Sequence, residues 1–163
     1  MTQSPTVHAS AVRVGGEAVL IRGPSGAGKS RLAFELILAG RAGQIAPAEL
    51  IGDDRVHLAA EDGRLVVRPA AELAGLIEIR GLGIRRCDYA RDAPVGLVVD
   101  LAATDAARLP EGAAVKIVLC GIQLPRIPVG SGLAALPLVI AALTTTEGFP
   151  AATTHRERLL EGN

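Results

Sequence analysis

Between residues 17 and 40 the chain runs from an apolar stretch through a glycine-rich loop into an amphipathic stretch, and that order leaves few folds open to it. The loop, Gly23, Pro24, Ser25, Gly26, Ala27, Gly28, Lys29 and Ser30, matches the phosphate-binding pattern G-x-x-x-x-G-K-[ST] in full. Glycines allow the tight turn that points successive backbone N–H groups inward at phosphate oxygens. Lys29 is placed to put an ammonium on the β and γ phosphates, and the Ser30 hydroxyl to ligate Mg²⁺. Glu17–Arg22 reads as a buried strand, and residues 30–39 carry apolar side chains at helical spacing before a stop at Gly40. The helix N-terminus adds N–H groups and a positive dipole end for an anion. The alternative is a Gly/Ser turn that holds no ligand.

The remaining chain predicts more strands than helices. Val7–Val14 alternates as a strand and Gly15-Gly16 reads as a hairpin turn, so an antiparallel pair precedes the loop. Residues 41–49 read as a loop, residues 50–58 as one strand carrying Asp53 and Asp54, and residues 64–68 as a strand returning from the Asp62-Gly63 turn. Residues 71–74 fit a short helical turn. Further strands are predicted over 75–80, 94–101 and 114–119, an extended run over 125–129, and a helix over 133–143 before a polar tail at 144–163. This pattern predicts a mixed α/β sheet; a small doubly wound parallel sheet would show more helices between its strands. With 163 residues the chain is the length of one domain, and a hydrophobic content of 49% is ample for one core.

Composition excludes several function classes. Zero formal net charge argues against a broad nucleic-acid footprint, and 2% aromatic residues against a base-stacking platform. Cys87 and Cys120 give neither a disulfide framework nor a metal knuckle, and they fit plain thiols in a reducing compartment. No signal peptide is evident, and the apolar stretch 132–144 is too short to span a bilayer and is interrupted by Pro137. A soluble cytoplasmic protein without membrane or nucleic-acid partners is expected.

Two further groups could carry chemistry. Asp53-Asp54 ends an apolar run, as a Mg²⁺-binding carboxylate beside a phosphate loop requires, and the second carboxylate could accept the proton of an attacking hydroxyl. Alone, such a pair reads more readily as a turn, and the preceding phosphate loop, helix and strand reverse that preference. The run from Glu78 to Arg86 combines one carboxylate, arginine forks suited to phosphate, and glycines that permit close backbone approach; its alternative is a solvated basic loop. Read singly, His8 and Arg108 are surface residues, and His57 and His155 have no metal-ligand spacing.

Taken together, His8, the phosphate loop, Ile51-Gly-Asp-Asp-Arg-Val56 and Leu76-Ile-Glu-Ile-Arg-Gly-Leu-Gly-Ile84 resemble the catalytic domain of bacterial HPr kinase/phosphorylase, from about Val7 to about Ala142. The resemblance implies a P-loop kinase core related to nucleotide-dependent carboxykinases. It implies transfer of phosphate from ATP to a serine of the phosphocarrier HPr, a reverse phosphorolysis, and assembly as a homo-hexamer. Residues 23–30 would bind the nucleotide, Ser30, Glu78 and Asp53 the Mg²⁺ side, and Asp54 would be the general base. His8, Lys29 and Arg108 match further catalytic positions, and Ile79, Arg80, Gly81, Leu82 and Gly83 the catalytic signature. The chain departs from the family pattern in three ways. Few residues precede His8, as in short alphaproteobacterial-like forms; the loop at 41–49 is long; and a late Pro-Gly-Arg element is replaced by residues 127–133. The last change removes a phosphate-binding fork, so a weak or absent phosphorylase activity is expected. A small-molecule P-loop kinase and a nucleotide-binding regulatory module are the competing readings. A GTPase is disfavoured because no Asn-Lys-x-Asp run is present.

Overall fold

In a computed structural model, residues 5–148 are described. The strands are β1 (Thr6–Val14), β2 (Glu17–Arg22), β3 (Ala48–Gly52), β4 (Arg55–Glu61), β5 (Arg64–Pro69), β6 (Leu76–Ile79), β7 (Gly83–Arg86), β8 (Ala93–Asp100), β9 (Lys116–Leu119) and β10 (Ile122–Pro128); the helices are α1 (Lys29–Arg41) and α2 (Leu136–Thr144). The fold is mixed α/β. The expected polar tail lies, from residue 149 onward, outside the described residues, as does His155.

The long first strand organises the sheet. Residues 9–14 of β1 pair antiparallel with β2, residues 11–14 also with β3, and residues 6–8 with β4. β4 pairs with β5, β5 with β8, and β8 runs parallel to β2, so β1, β4, β5, β8 and β2 close a circuit. β10 extends it, parallel to β8, with β9 antiparallel at the edge. β6 and β7 form a separate hairpin.

Alternation along β2 sends side chains to two apolar clusters. Ala18 and Leu20 join Ala9, Ala11, Ile51, Val56, Val67, Val95 and Val98 within the strand circuit. Val19 and Ile21 face the other way, against Leu32, Leu36 and Ile37 of α1 and Val139 of α2. The helix therefore covers one face of the sheet, as its apolar spacing requires.

Three expectations are corrected. The single strand over 50–58 is two strands, interrupted at Asp53-Asp54, where Asp54 has φ 69. The left-handed backbone lets β3 and β4 pair with different segments of β1, and Asp is among the few residues that tolerate it. Residues 83–86, given no element and with a solvated loop as the alternative reading, are β7; the turn before it has Gly81 at φ 91 and Gly83 at φ 112, which only glycine adopts at little cost. The loop over 41–49 is also shorter than expected, because β3 begins at Ala48.

Candidate active site

The phosphate loop leaves β2 at Gly23 and enters α1 at Lys29. Gly23, Gly26 and Gly28 have φ 153, 83 and 102, and Gly28 caps α1 with no side-chain bond to the first turn, so the orphan N–H groups there are not taken by a cap. Lys29 is buried, and its Nζ donates to the carbonyls of Gly23 at 2.8 Å and Pro24 at 3.2 Å. The loop's base is also clamped, because the Leu101 N–H donates to the Arg22 carbonyl at 2.8 Å and a Cβ on Gly23 would lie 3.0 Å from the Leu101 Cβ.

Asp53 binds three elements to this loop. Its Oδ1 accepts from the Ser10 hydroxyl at 2.6 Å, both carboxylate oxygens lie 2.8 Å from the Ser30 Oγ, and Oδ2 accepts from the Glu78 N–H at 3.0 Å. A buried carboxylate needs such donors, and here they come from three elements without a salt bridge. Asp53 thereby fixes the Ser30 hydroxyl and the backbone of β6 at Glu78 relative to each other.

On the next residue the backbone reverses, and the Asp54 side chain turns outward to bond the Nε2 of His8. The Asp54 carbonyl accepts from the Ala9 N–H at 3.1 Å, so the pair is anchored on β1 from both sides. A single cavity of about 990 Å³ is lined by His8, residues 25–32, Phe34, Glu35, Asp54, Glu78, Ile79, Arg80, Leu101 and residues 132–137.

Most of the sequence-predicted residues thus meet. His8, Ser25 to Ser30, Asp54, Glu78, Ile79 and Arg80 line one cavity, while Asp53 lies behind it, bonded to Ser30. Gly23 and Pro24 form the root of the loop. Gly81, Leu82 and Gly83 make the β6–β7 turn outside the cavity, with Leu82 exposed. Arg108 is not brought to the cavity: it sits exposed on the loop after β8 and does not line its wall.

Sequence reasoning missed three features. Ser10 is fully buried; a lone hydroxyl among Ala9, Ala11 and Val12 was the available signal. Arg22 and Asp100 end the neighbouring parallel strands β2 and β8, Arg126 lies two residues before the end of β10, and both arginines bond Asp100. Arg22 grips Asp100 through Nε at 2.7 Å and Nη2 at 2.8 Å; Arg126 Nε reaches Asp100 Oδ2 at 2.5 Å, and its fork also binds Asp105. Burial pushes the Asp100 carboxyl up, but the hydrogen bonds and charges of the two arginines outweigh it and hold the group below its ordinary value. Arg126 in turn holds its proton more tightly, chiefly through its hydrogen bond to Asp105. The third feature, the wall over 132–137, carries no motif.

The donor set fits Mg²⁺ when bound with a polyphosphate. Ser30 and Glu78 offer hard oxygen ligands, and among the described residues no group of three or more His, Cys, Asp or Glu side chains could hold a metal unaided. Mg²⁺ is ordinarily bound by one or two protein oxygens plus substrate phosphates and water.

With this geometry in view, the comparisons with known proteins are informative. Residues 1–146 match the family model described as HPr Serine kinase C-terminal domain. The chain belongs to this family. It is similar to the HPr kinase/phosphorylase of Enterococcus faecalis, 37% identical over 171 residues that cover 94% of this chain and 53% of that protein. Against the HPr kinase/phosphorylase of Streptococcus thermophilus it is 42% identical over 85 residues, 52% of this chain and 25% of that one. The chain thus matches about half or less of the length of these relatives. The solved structure titled Hpr(Ser) kinase/phosphatase from Coxiella burnetii superposes with a TM-score of 0.69 at 24% identity, over 97% of this chain and 98% of that one, which establishes the shared fold. Among the described residues no helix is long and apolar enough to cross a membrane.

Proposed function

We propose that this domain of the HPr kinase family transfers the γ-phosphoryl group of ATP to a serine hydroxyl of HPr. The observation that carries the reading is the meeting, in one cavity, of a phosphate loop with the His8–Asp54 pair and Glu78. Phosphoryl transfer needs mainly positioning and charge stabilisation. The loop N–H groups, the start of α1 and the Lys29 ammonium supply these for the polyphosphate. Mg²⁺, when bound, neutralises charge on the phosphates. Ser30 and Glu78 would hold it, and Asp53 acts behind them by accepting the hydrogen bond of the Ser30 hydroxyl. Asp54 accepts the proton of the attacking hydroxyl, and His8, bonded to it, fixes its orientation. The exposed position of the pair, 60% for the Asp54 side chain and 51% for His8, supports a macromolecular acceptor, because a hydroxyl presented on another protein can reach it.

The reverse phosphorolysis is weak or absent in this reading, since residues 127–133 supply no arginine fork beside the loop. We assign the protein to the cytoplasm and to a homo-hexamer by family resemblance. Support for a further copy is that α2 is apolar yet Val139 is its one buried residue. Arg108 then has its role, if any, outside the cavity of a single chain.

The test is incubation with Mg²⁺, ATP and HPr in competition with a panel of sugars and nucleosides. Phosphoserine on HPr, found by mass spectrometry of its peptides, is the expected result. Phosphorylation of a metabolite with HPr unmodified would favour a small-molecule kinase. Release of pyrophosphate from phospho-HPr and inorganic phosphate at a rate matching the forward reaction would refute the weak reverse activity.

A further inference from the structure

We propose that Ser10 is a positioning residue of phosphoryl transfer: one buried hydroxyl sets two adjacent aspartates to opposite tasks, Asp53 toward Ser30 and Asp54 toward the acceptor. This rests on the reading of Asp54 as the group that takes the acceptor's proton.

Alternation along β1 divides its side chains between two faces. Ala9 and Ala11 join the cluster within the strand circuit, while Val12 joins the cluster under α1. Ser10 shares the face of Val12, and His8, two residues earlier, is on the cavity wall. An apolar side chain at position 10 would simply extend the core. A hydroxyl with no exposure is unfavourable there unless it is bonded. Its bonds go to the aspartates. Oγ donates to Asp53 Oδ1 at 2.6 Å and accepts a long bond, 3.4 Å, from the Asp54 N–H.

The backbone explains why a side chain is needed at this place. β1 pairs with β4 over residues 6–8 and with β3 over residues 11–14. Residues 9 and 10 lie opposite the break between those two strands, where no ladder continues. The break is tight: the Arg55 N–H donates to the Asp53 carbonyl at 2.8 Å, and Asp54 between them has φ 69. A three-residue turn with a positive central φ is rare and strained, and it persists only when its surroundings hold it. Here β1 holds both polar groups of the Asp54 backbone, the carbonyl through the Ala9 N–H and the N–H through the Ser10 hydroxyl. Without that hydroxyl, Asp53 keeps the Ser30 hydroxyl and the Glu78 N–H, so the phosphate loop keeps its tie. What is lost is the hold on the turn that aims Asp54.

Single-turnover phosphorylation of HPr at saturating Mg-ATP, with calorimetric titration of Mg-ATP, tests this in Ser10→Ala, Ser10→Thr and Ser10→Val. Ser10→Ala is expected to bind Mg-ATP within about threefold of the unmodified chain and to transfer phosphate about ten- to a hundredfold more slowly, the scale of losing a group that orients a reacting one. Thr and Val differ by a hydroxyl at similar volume, so packing alone would affect both alike. The hydroxyl is expected to keep Ser10→Thr at least about tenfold faster than Ser10→Val. A near-normal rate in Ser10→Ala, a loss carried by Mg-ATP affinity, or equal rates for the Thr and Val variants overturns the inference. NMR of the His8 ring in histidine-labelled protein gives a readout without transfer. In Ser10→Ala the Nε2 resonance is expected to move toward its position in Asp54→Ala, because the carboxylate bonded to it is released, and Ser10→Thr should restore it. An unmoved resonance overturns the inference. If the unmodified chain leaves HPr unphosphorylated while the resonance responds as expected, the proposed function falls and the hold of Ser10 on Asp54 stands.

Discussion

Replacing Asp100 by Asn should destabilise the domain and alter its response to acid, because one carboxylate ties together three neighbouring strands. The side chain of Asp100 is 11% exposed, Arg126 12% and Arg22 32%. Breaking a buried ion pair by removing one partner costs about 3–5 kcal/mol, since the charge left behind is poorly solvated. Here the lower end applies: Arg22 is reached by water, and Arg126 keeps Asp105 and the Ala114 carbonyl. A loss of about 3 kcal/mol is a large part of a typical stability of about 5–15 kcal/mol. At a urea slope of about 2 kcal/mol/M, the unfolding midpoint should fall by about 1.5 M at pH 7. The acid limb provides a second readout. The folded Asp100 carboxyl lies below its ordinary value, so its stabilisation is present above the unfolded pKa of about 3.9 and is lost as the pH falls through the folded value. Asp100→Asn should therefore lose stability less steeply than the unmodified chain as the pH falls below about 4. Urea unfolding at pH 7 and at a series of pH values below 4 measures both. A midpoint shift under about 0.5 M, or parallel acid limbs, would refute the assignment of Asp100 as the tie between these strands.

Two further substitutions separate the parts of the site. Lys29→Ala should reduce nucleotide affinity or turnover by about two to three orders of magnitude, since it removes the ammonium beside the phosphates; titration with Mg-ATP and a turnover assay check this. Asp53→Asn should raise the Mg²⁺ concentration needed for half-maximal activity by about ten- to a hundredfold, because Ser30 loses its anionic acceptor and the Glu78 N–H its partner; a Mg²⁺ titration at fixed ATP reads it, and an unchanged curve would remove Asp53 from the metal side.

The legible parts of this molecule were those in which chemistry and chain are local. The phosphate loop announces itself because its glycines, lysine and serine form one pattern at adjacent positions. Glu78-Ile-Arg80 was picked out less directly: alone it read equally as a solvated loop, and the resemblance of the whole set of runs singled it out. The break between β3 and β4 was not, because residues 50–58 read as one alternating run. The reversal at Asp54 follows from β1 accepting two partners at different registers, a choice made by packing. Ser10 was hidden because its partner lies 43 residues away. The Arg22–Asp100–Arg126 tie needs the parallel pairing of β2, β8 and β10 before the residues are neighbours. Arg108, carried over from family likeness, shows the converse: a residue matched by position need not reach the cavity within one chain.

The account stands or falls on whether Asp54 acts on the attacking hydroxyl. Single-turnover formation of phosphoserine-HPr at saturating Mg-ATP, compared between the unmodified chain and Asp54→Asn, measures this directly. The account predicts unchanged nucleotide affinity and a rate lower by about two to four orders of magnitude, the scale of losing a general base. A near-normal rate at equal affinity would contradict it.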